Sequence, residues 1–155
     1  MERTLILIKP DAIQRGLIGT IINRFERKGL KLIALKFLKL DDALINKHYA
    51  HLVDKPFFPF IKAFMTSAPL IALVWEGLDC IETVRKLAGV TNARQAETGT
   101  IRGDFGVSVQ KNLIHASDGP EAAEEEIARF FQPDELQAYD LFMTAVLYSG
   151  DELGG

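Results

Sequence analysis

Apolar and polar positions along the chain switch between a period near two and a period near 3.6. Thr4 to Lys9, TLILIK, is a short apolar run stopped by Pro10 and predicts a buried strand. Ile18, Ile21, Ile22 and Phe25 then recur at helical spacing, with Gly29 as the C-terminal stop. Leu30 to Leu40 alternates, which predicts a half-covered second strand paired with the first. From Asp41 to Ser67 the spacing is helical again, in two pieces broken at Lys55-Pro56, and reads as an inserted helical hairpin.

Pro69 to Trp75, PLIALVW, is uninterrupted and closed by Glu76-Gly77, as in a central strand; Asp79 to Ala88 reads as the next helix. Gly89 to Asn112 is polar, carries Gly99, Gly103 and Gly106, and far exceeds the usual connection of about 4–6 residues, which marks a long functional loop. Leu113 to His115 predicts a last short strand. Asp118 to Phe131 predicts a helix, with Asp118-x-x-Glu121 as a capping box and Pro120 in the first turn. The remainder reads as a tail.

This order is the β-α-β-β-α-β pattern of an α+β, ferredoxin-like fold: an antiparallel sheet with helices on its faces, an added helical hairpin and a long loop before the last strand. The 155 residues fit a single domain, 1–155, with a short C-terminal tail from about 149.

Composition narrows the function. A formal charge of −3 argues against broad adhesion to nucleic acid, so any anion site is local. No apolar run approaches the roughly 20 residues that span a bilayer. MERTLILIKPD lacks the regions of a signal peptide, so a cytoplasmic address is expected. The one cysteine, Cys80, reads as a small buried hydrophobe.

Among the candidates for chemistry, His115 stands first. A neutral imidazole can attack as well as accept a proton, and Glu126, about two turns into the following helix, is placed to hold one ring nitrogen. A carboxylate partner also favours the imidazolium, which cannot attack; nearby cations offset that. Lys9 ends the first strand and reads as snorkelling or cleft-facing. Arg85 lies on a helix, and Arg102 sits in GTIRGDFG, where glycines allow close approach to a phosphate; each alone reads as a surface arginine. His48 and His51 read as a solvated helix face, with no metal assigned. Phe57 reads first as core and secondly as a platform for a base. GxxxxGK[ST], GxGxxG and HExxH do not occur in the sequence.

TLILIKPDAIQRGLIG, HYAHLVDKPFF, TGTIRGDFG and NLIHASD together resemble the nucleoside diphosphate kinase family, in order and to about Tyr148. The resemblance implies ping-pong transfer of a γ-phosphate between nucleoside triphosphates and diphosphates, with His115 as the phosphate carrier. It implies that Glu126 orients His115, Tyr49 packs beside it and Ser117 bonds near Glu126. Lys9 is expected on the phosphates and ribose, Arg85 and Thr91 on the β-phosphate, Arg102 on the γ-phosphate and Asn112 on the ribose, with Phe57 and Val109 clamping the base.

Magnesium (Mg2+) is expected to ride on the nucleotide phosphates rather than in a protein cage. The resemblance further implies a homo-oligomer, with a hexamer favoured over a tetramer. Ala93 and Thr98 stand where prolines are common in the family, and Gln110 and Ala116 where glycine is frequent. A second reading is a non-catalytic RNA-binding module, because the RNA recognition motif shares the strand order and RGDFGVSV loosely echoes its signature. Asp104 falls where that signature wants an aromatic.

Overall fold

The structure, a computed structural model, describes residues 1–154. Its frame is a four-stranded sheet of β1 (Glu2–Ile8), β2 (Lys31–Leu38), β3 (Leu70–Gly77) and β4 (Ile114–Ala116). The order is β2-β3-β1-β4, with all neighbours antiparallel. Position explains the unbroken apolar runs of β1 and β3. Both are central, and successive side chains enter opposite faces that are each covered. Ile6 and Ile8 join Trp75, Phe25 and Val84 in one core, whereas Leu5 and Leu7 join Leu70, Val74 and Phe130 in the other. At about 1.5–3 kcal/mol for each large apolar side chain buried, the two cores hold the sheet from both sides.

The helices are α1 (Pro10–Gln14), α2 (Ile18–Lys28), α3 (Asp42–His48), α4 (Phe58–Met65), α5 (Cys80–Ala88), α6 (Ile101–Phe105), α7 (Pro120–Phe130) and α8 (Thr144–Leu147). Ile21 and Phe25 of α2 and Val84 of α5 fill the first core; Ile45 of α3, Met65 of α4 and Ile127 of α7 fill the second. The expected stop at Gly29 is real: it sits at φ 96°, a left-handed backbone that glycine adopts without a Cβ penalty. No helix among the described residues is long and apolar enough to cross a membrane.

Four details depart from the expected pattern. β2 pairs with β3 and not with β1, because β3 and β4 take the two edges of β1 and leave β2 outside. The long loop contains α6 and a 3-10 turn at Ala93–Gln95; five helical residues flanked by glycines are too few to show a period. The capping box at Asp118 does not form: Gly119 is the N-cap, and the Asp118 carboxylate accepts instead from Arg85 Nη1 at 2.7 Å.

The stretch after α7 is no loose tail. Gln137 N donates to Ile33 O at 2.8 Å, Tyr139 donates its hydroxyl to Leu32 O at 2.6 Å, and Leu147 packs against Gly29. Ile33 lies at a register irregularity of β2, which leaves its carbonyl available for this strap. Of the terminal glycines, Gly155 lies outside the described residues.

Candidate active site

Strand parity sets the site. Ile114 and Ala116 of β4 enter the first core, so His115 points to the opposite face, under α3 and α7. Leu7 is its partner on β1, and Lys9 follows two residues later on the same face. On α7 the buried positions are Ala123, Glu126, Ile127 and Phe130, a single helical stripe. Glu126 therefore lies inside an apolar face, and its Oε2 pairs with Nε2 of His115. Nδ1 makes no protein hydrogen bond among the described residues.

A cavity of about 540 Å³ opens beside His115, lined among others by Lys9, Tyr49, Arg85, Thr91, Arg102, Asn112 and Glu126. Lys9 Nζ donates to Asn112 Oδ1 at 2.7 Å and to Gln110 O at 3.3 Å. Burial and the Arg102 charge pull its pKa down to about 8. Arg102 is 7% exposed and donates to Asn112 O, Gly89 O and Ile114 O. A guanidinium has five N–H donors, and three used here leave two for an anion. Burial and the Arg85 charge lower its pKa to about 10, so it stays cationic at neutral pH.

Asn112 is 2% exposed and commits both amide hydrogens, to Thr91 O at 2.9 Å and Val109 O at 2.8 Å. It ties the loop together beneath the cations. Burial and the Glu126 charge push the Tyr49 phenol up to about 12, which keeps it neutral.

Not every expected residue converges here. Ser117 is fully buried, and its hydroxyl pairs with the Leu5 N–H and carbonyl rather than with Glu126, locking β4 to β1. Phe57 and Val109 lie off the cavity lining, 42% and 44% exposed. Conversely, the expected solvated face of α3 is only half correct. His48 is 7% exposed, with its ring 4.9 Å from that of His115 at 86°, and Arg129 Nη1 donates to its Nδ1. Its spacing from buried Ile45 was the available signal.

A larger cavity, about 730 Å³, adjoins across the Arg85–Asp118 pair, but its lining includes neither His115 nor Lys9 and Arg102. The chemistry belongs to the smaller one: a carboxylate-held imidazole with one free nitrogen, facing several cations. Such an arrangement, in an α+β fold, is chemically suited to passing an anionic group through a histidine.

Comparison with known families matches residues 2–136 to Nucleoside diphosphate kinase. A relative named nucleoside diphosphate kinase, from Parabacteroides distasonis, is 53% identical over 152 residues, covering 98% of this chain and 99% of that protein. Nucleoside diphosphate kinase B of Rattus norvegicus is 50% identical over 139 residues, covering 90% of this chain and 91% of its own. A solved halophilic nucleoside diphosphate kinase from Halobacterium salinarum, in complex with CDP, superposes with a TM-score of 0.92 at 50% identity, covering 95% of this chain and 98% of that one. The chain belongs to the nucleoside diphosphate kinase family.

Proposed function

We propose that this protein transfers the γ-phosphate of a nucleoside triphosphate to a nucleoside diphosphate in two half-reactions, with Nδ1 of His115 as carrier. The observation that carries the reading is the division of the His115 ring: Nε2 is taken by Glu126, whereas Nδ1 has no protein partner among the described residues and stands beside a cation-lined cavity.

In the first half-reaction the Nδ1 lone pair bonds to the γ-phosphorus as the bond to the bridging oxygen breaks, and the diphosphate leaves with that electron pair. The second half-reaction is the reverse, onto a new diphosphate. Lys9 and Arg102 sit where negative charge spreads over the moving group, and such fixed donors are worth about 10²–10³ in rate each. Arg85 and Thr91 line the approach for the other phosphates. Asn112 holds the loop that presents them. We assign Phe57 and Val109 to the base, since stacking accepts any π face and explains breadth of base and sugar.

Magnesium fits as a companion of the phosphates. The rim carboxylates, Asp118 and Glu125, offer the hard oxygens it takes. The three-donor cluster found among the described residues, His48, His115 and Glu126, offers two nitrogens and suits a softer ion. Bound with the nucleotide, magnesium supplies charge neutralisation on the phosphate oxygens.

The whole activity is assigned to one domain working as a homo-oligomer, a hexamer in preference to a tetramer, in the cytoplasm. The free, buried Cys80 suits a reducing compartment. The RNA-binding alternative has no support: both sheet faces are buried under helices, and Arg102 to Phe105 lie on α6 rather than on a strand.

Intact mass after incubation with magnesium-ATP tests the carrier. A single acid-labile gain of about 80 Da, discharged by a diphosphate and absent in His115→Ala, is the expected result. Turnover retained by His115→Ala overturns the mechanism.

A further inference from the structure

Arg129 has no part in the transfer described above, yet it lines the same cavity. It follows Glu126 by three residues on α7, so the two side chains leave neighbouring points of one helix face. Its Nη1 donates to His48 Nδ1 at 3.1 Å, and its Nε is buried without a hydrogen-bond partner among the described residues. His48 packs edge-on against His115 at 4.9 Å, Tyr49 at 4.8 Å and Phe130 at 5.4 Å.

A guanidinium donates and never accepts. The pairing therefore requires a lone pair on His48 Nδ1, which places the proton of the neutral ring on Nε2. A proton on Nδ1 would set two N–H groups against each other in a buried site. We propose that Arg129 is a positioning residue of the transfer, acting through His48: it fixes that imidazole as the neutral Nε2–H tautomer and so fixes the wall against which the His115 ring stands. This rests on His115 being the carrier.

Two restraints then define the nucleophile. Glu126 holds Nε2 from one side, and the His48 ring, at 86°, blocks the swing that would turn Nδ1 away. The charged and titratable groups facing His48 come from every neighbour: His115 on β4, Arg129 and Glu126 on α7, Lys9 at the end of β1, His51 in the turn after α3, and adjacent Tyr49. Burial and the surrounding cations hold its pKa down to about 3, in keeping with a ring that stays neutral throughout the working range.

The test is histidine nitrogen NMR and steady-state kinetics on the full chain. Arg129→Met and Arg129→Leu remove the donor with and without the length of the stem, and Arg129→Lys keeps a donor. In the unsubstituted protein, His48 should remain a single Nε2–H tautomer from about pH 8 to 5. Without the donor it should exchange between the two neutral tautomers. kcat should fall about tenfold, with KM for nucleotide unchanged, and Lys should restore most of it.

Unmoved His48 spectra in both Met and Leu variants overturn the proposal. So does a raised KM at constant kcat, which puts Arg129 on the bound phosphates instead. The spectra are read on unphosphorylated protein. Absence of the phosphate adduct on the unsubstituted protein sinks the carrier and this role together, whereas a normal adduct with unmoved spectra sinks only this role.

Discussion

Lys9 is a residue whose charge changes just above neutral pH. Its folded pKa of about 8 lies below the ordinary lysine value of 10.5. Between those values the unfolded chain binds the extra proton, so this group adds to stability as pH rises from 8 to 10.5 and costs stability below 8. Binding runs the other way, because phosphate wants the ammonium. Nucleotide KM should rise above about pH 8, and calorimetry in buffers of different ionisation enthalpy should show proton uptake on binding there. A KM flat to pH 10 would remove Lys9 from the phosphates.

Much at this scale was legible in the chain itself. His115 stood out by its place between a strand end and an acidic helix. Glu126 was picked out by its reach back from the following helix, although three consecutive glutamates look solvated until Ala123, Ile127 and Phe130 are seen to share its stripe. Arg129 and His48 were hidden for a similar reason: a buried cation is invisible until its acceptor on another element is known.

At the scale of elements, strands and long helices were readable from period alone, and the pairing of β2 was not, since a strand's own residues do not say which edge is free. The loop from Gly89 to Asn112 was readable as a loop and not as the tight object it is. Alanine at position 93 and threonine at 98 remove the prolines common in the family, yet the loop is held by other means. Arg24 donates to Gly99 O, Gly99 N donates to Asp104, and Arg94 donates to Val107 O.

Gly103 is the pivot, for a Cβ there would lie 1.9 Å from Glu97 O. Gly103→Ala must displace the segment that carries Arg102. Overpacking of this kind costs about 1–3 kcal/mol, so thermal unfolding should shift down by roughly 3–10 °C and activity should fall with it. An unchanged melting temperature would mean that the loop yields freely.

For the whole molecule, the outer strand β2 is one place with apolar surface left to cover. Leu35 and Phe37 are 50% and 60% exposed on that strand, and the C-terminal strap satisfies only Leu32 and Ile33 beside them. An open apolar edge invites a second copy. Phe37→Asp should lower the molar mass measured by light scattering, and a mass equal to that of the unsubstituted protein would place the assembly surface elsewhere.

The sheet order carries one more consequence, and it concerns synthesis. Lys9 meets Asn112 across 103 positions, and Ser117 locks to Leu5 across 112. Closing loops of that length comes late, after local helices and the β2-β3 pair can form. A nascent chain still short of β4 has its first strand waiting with one edge unpaired, and one still short of α7 has no carboxylate to orient His115. The cleft around His115 is thus the closing seam of the fold, and recovered activity would report that β1 and β4 have met.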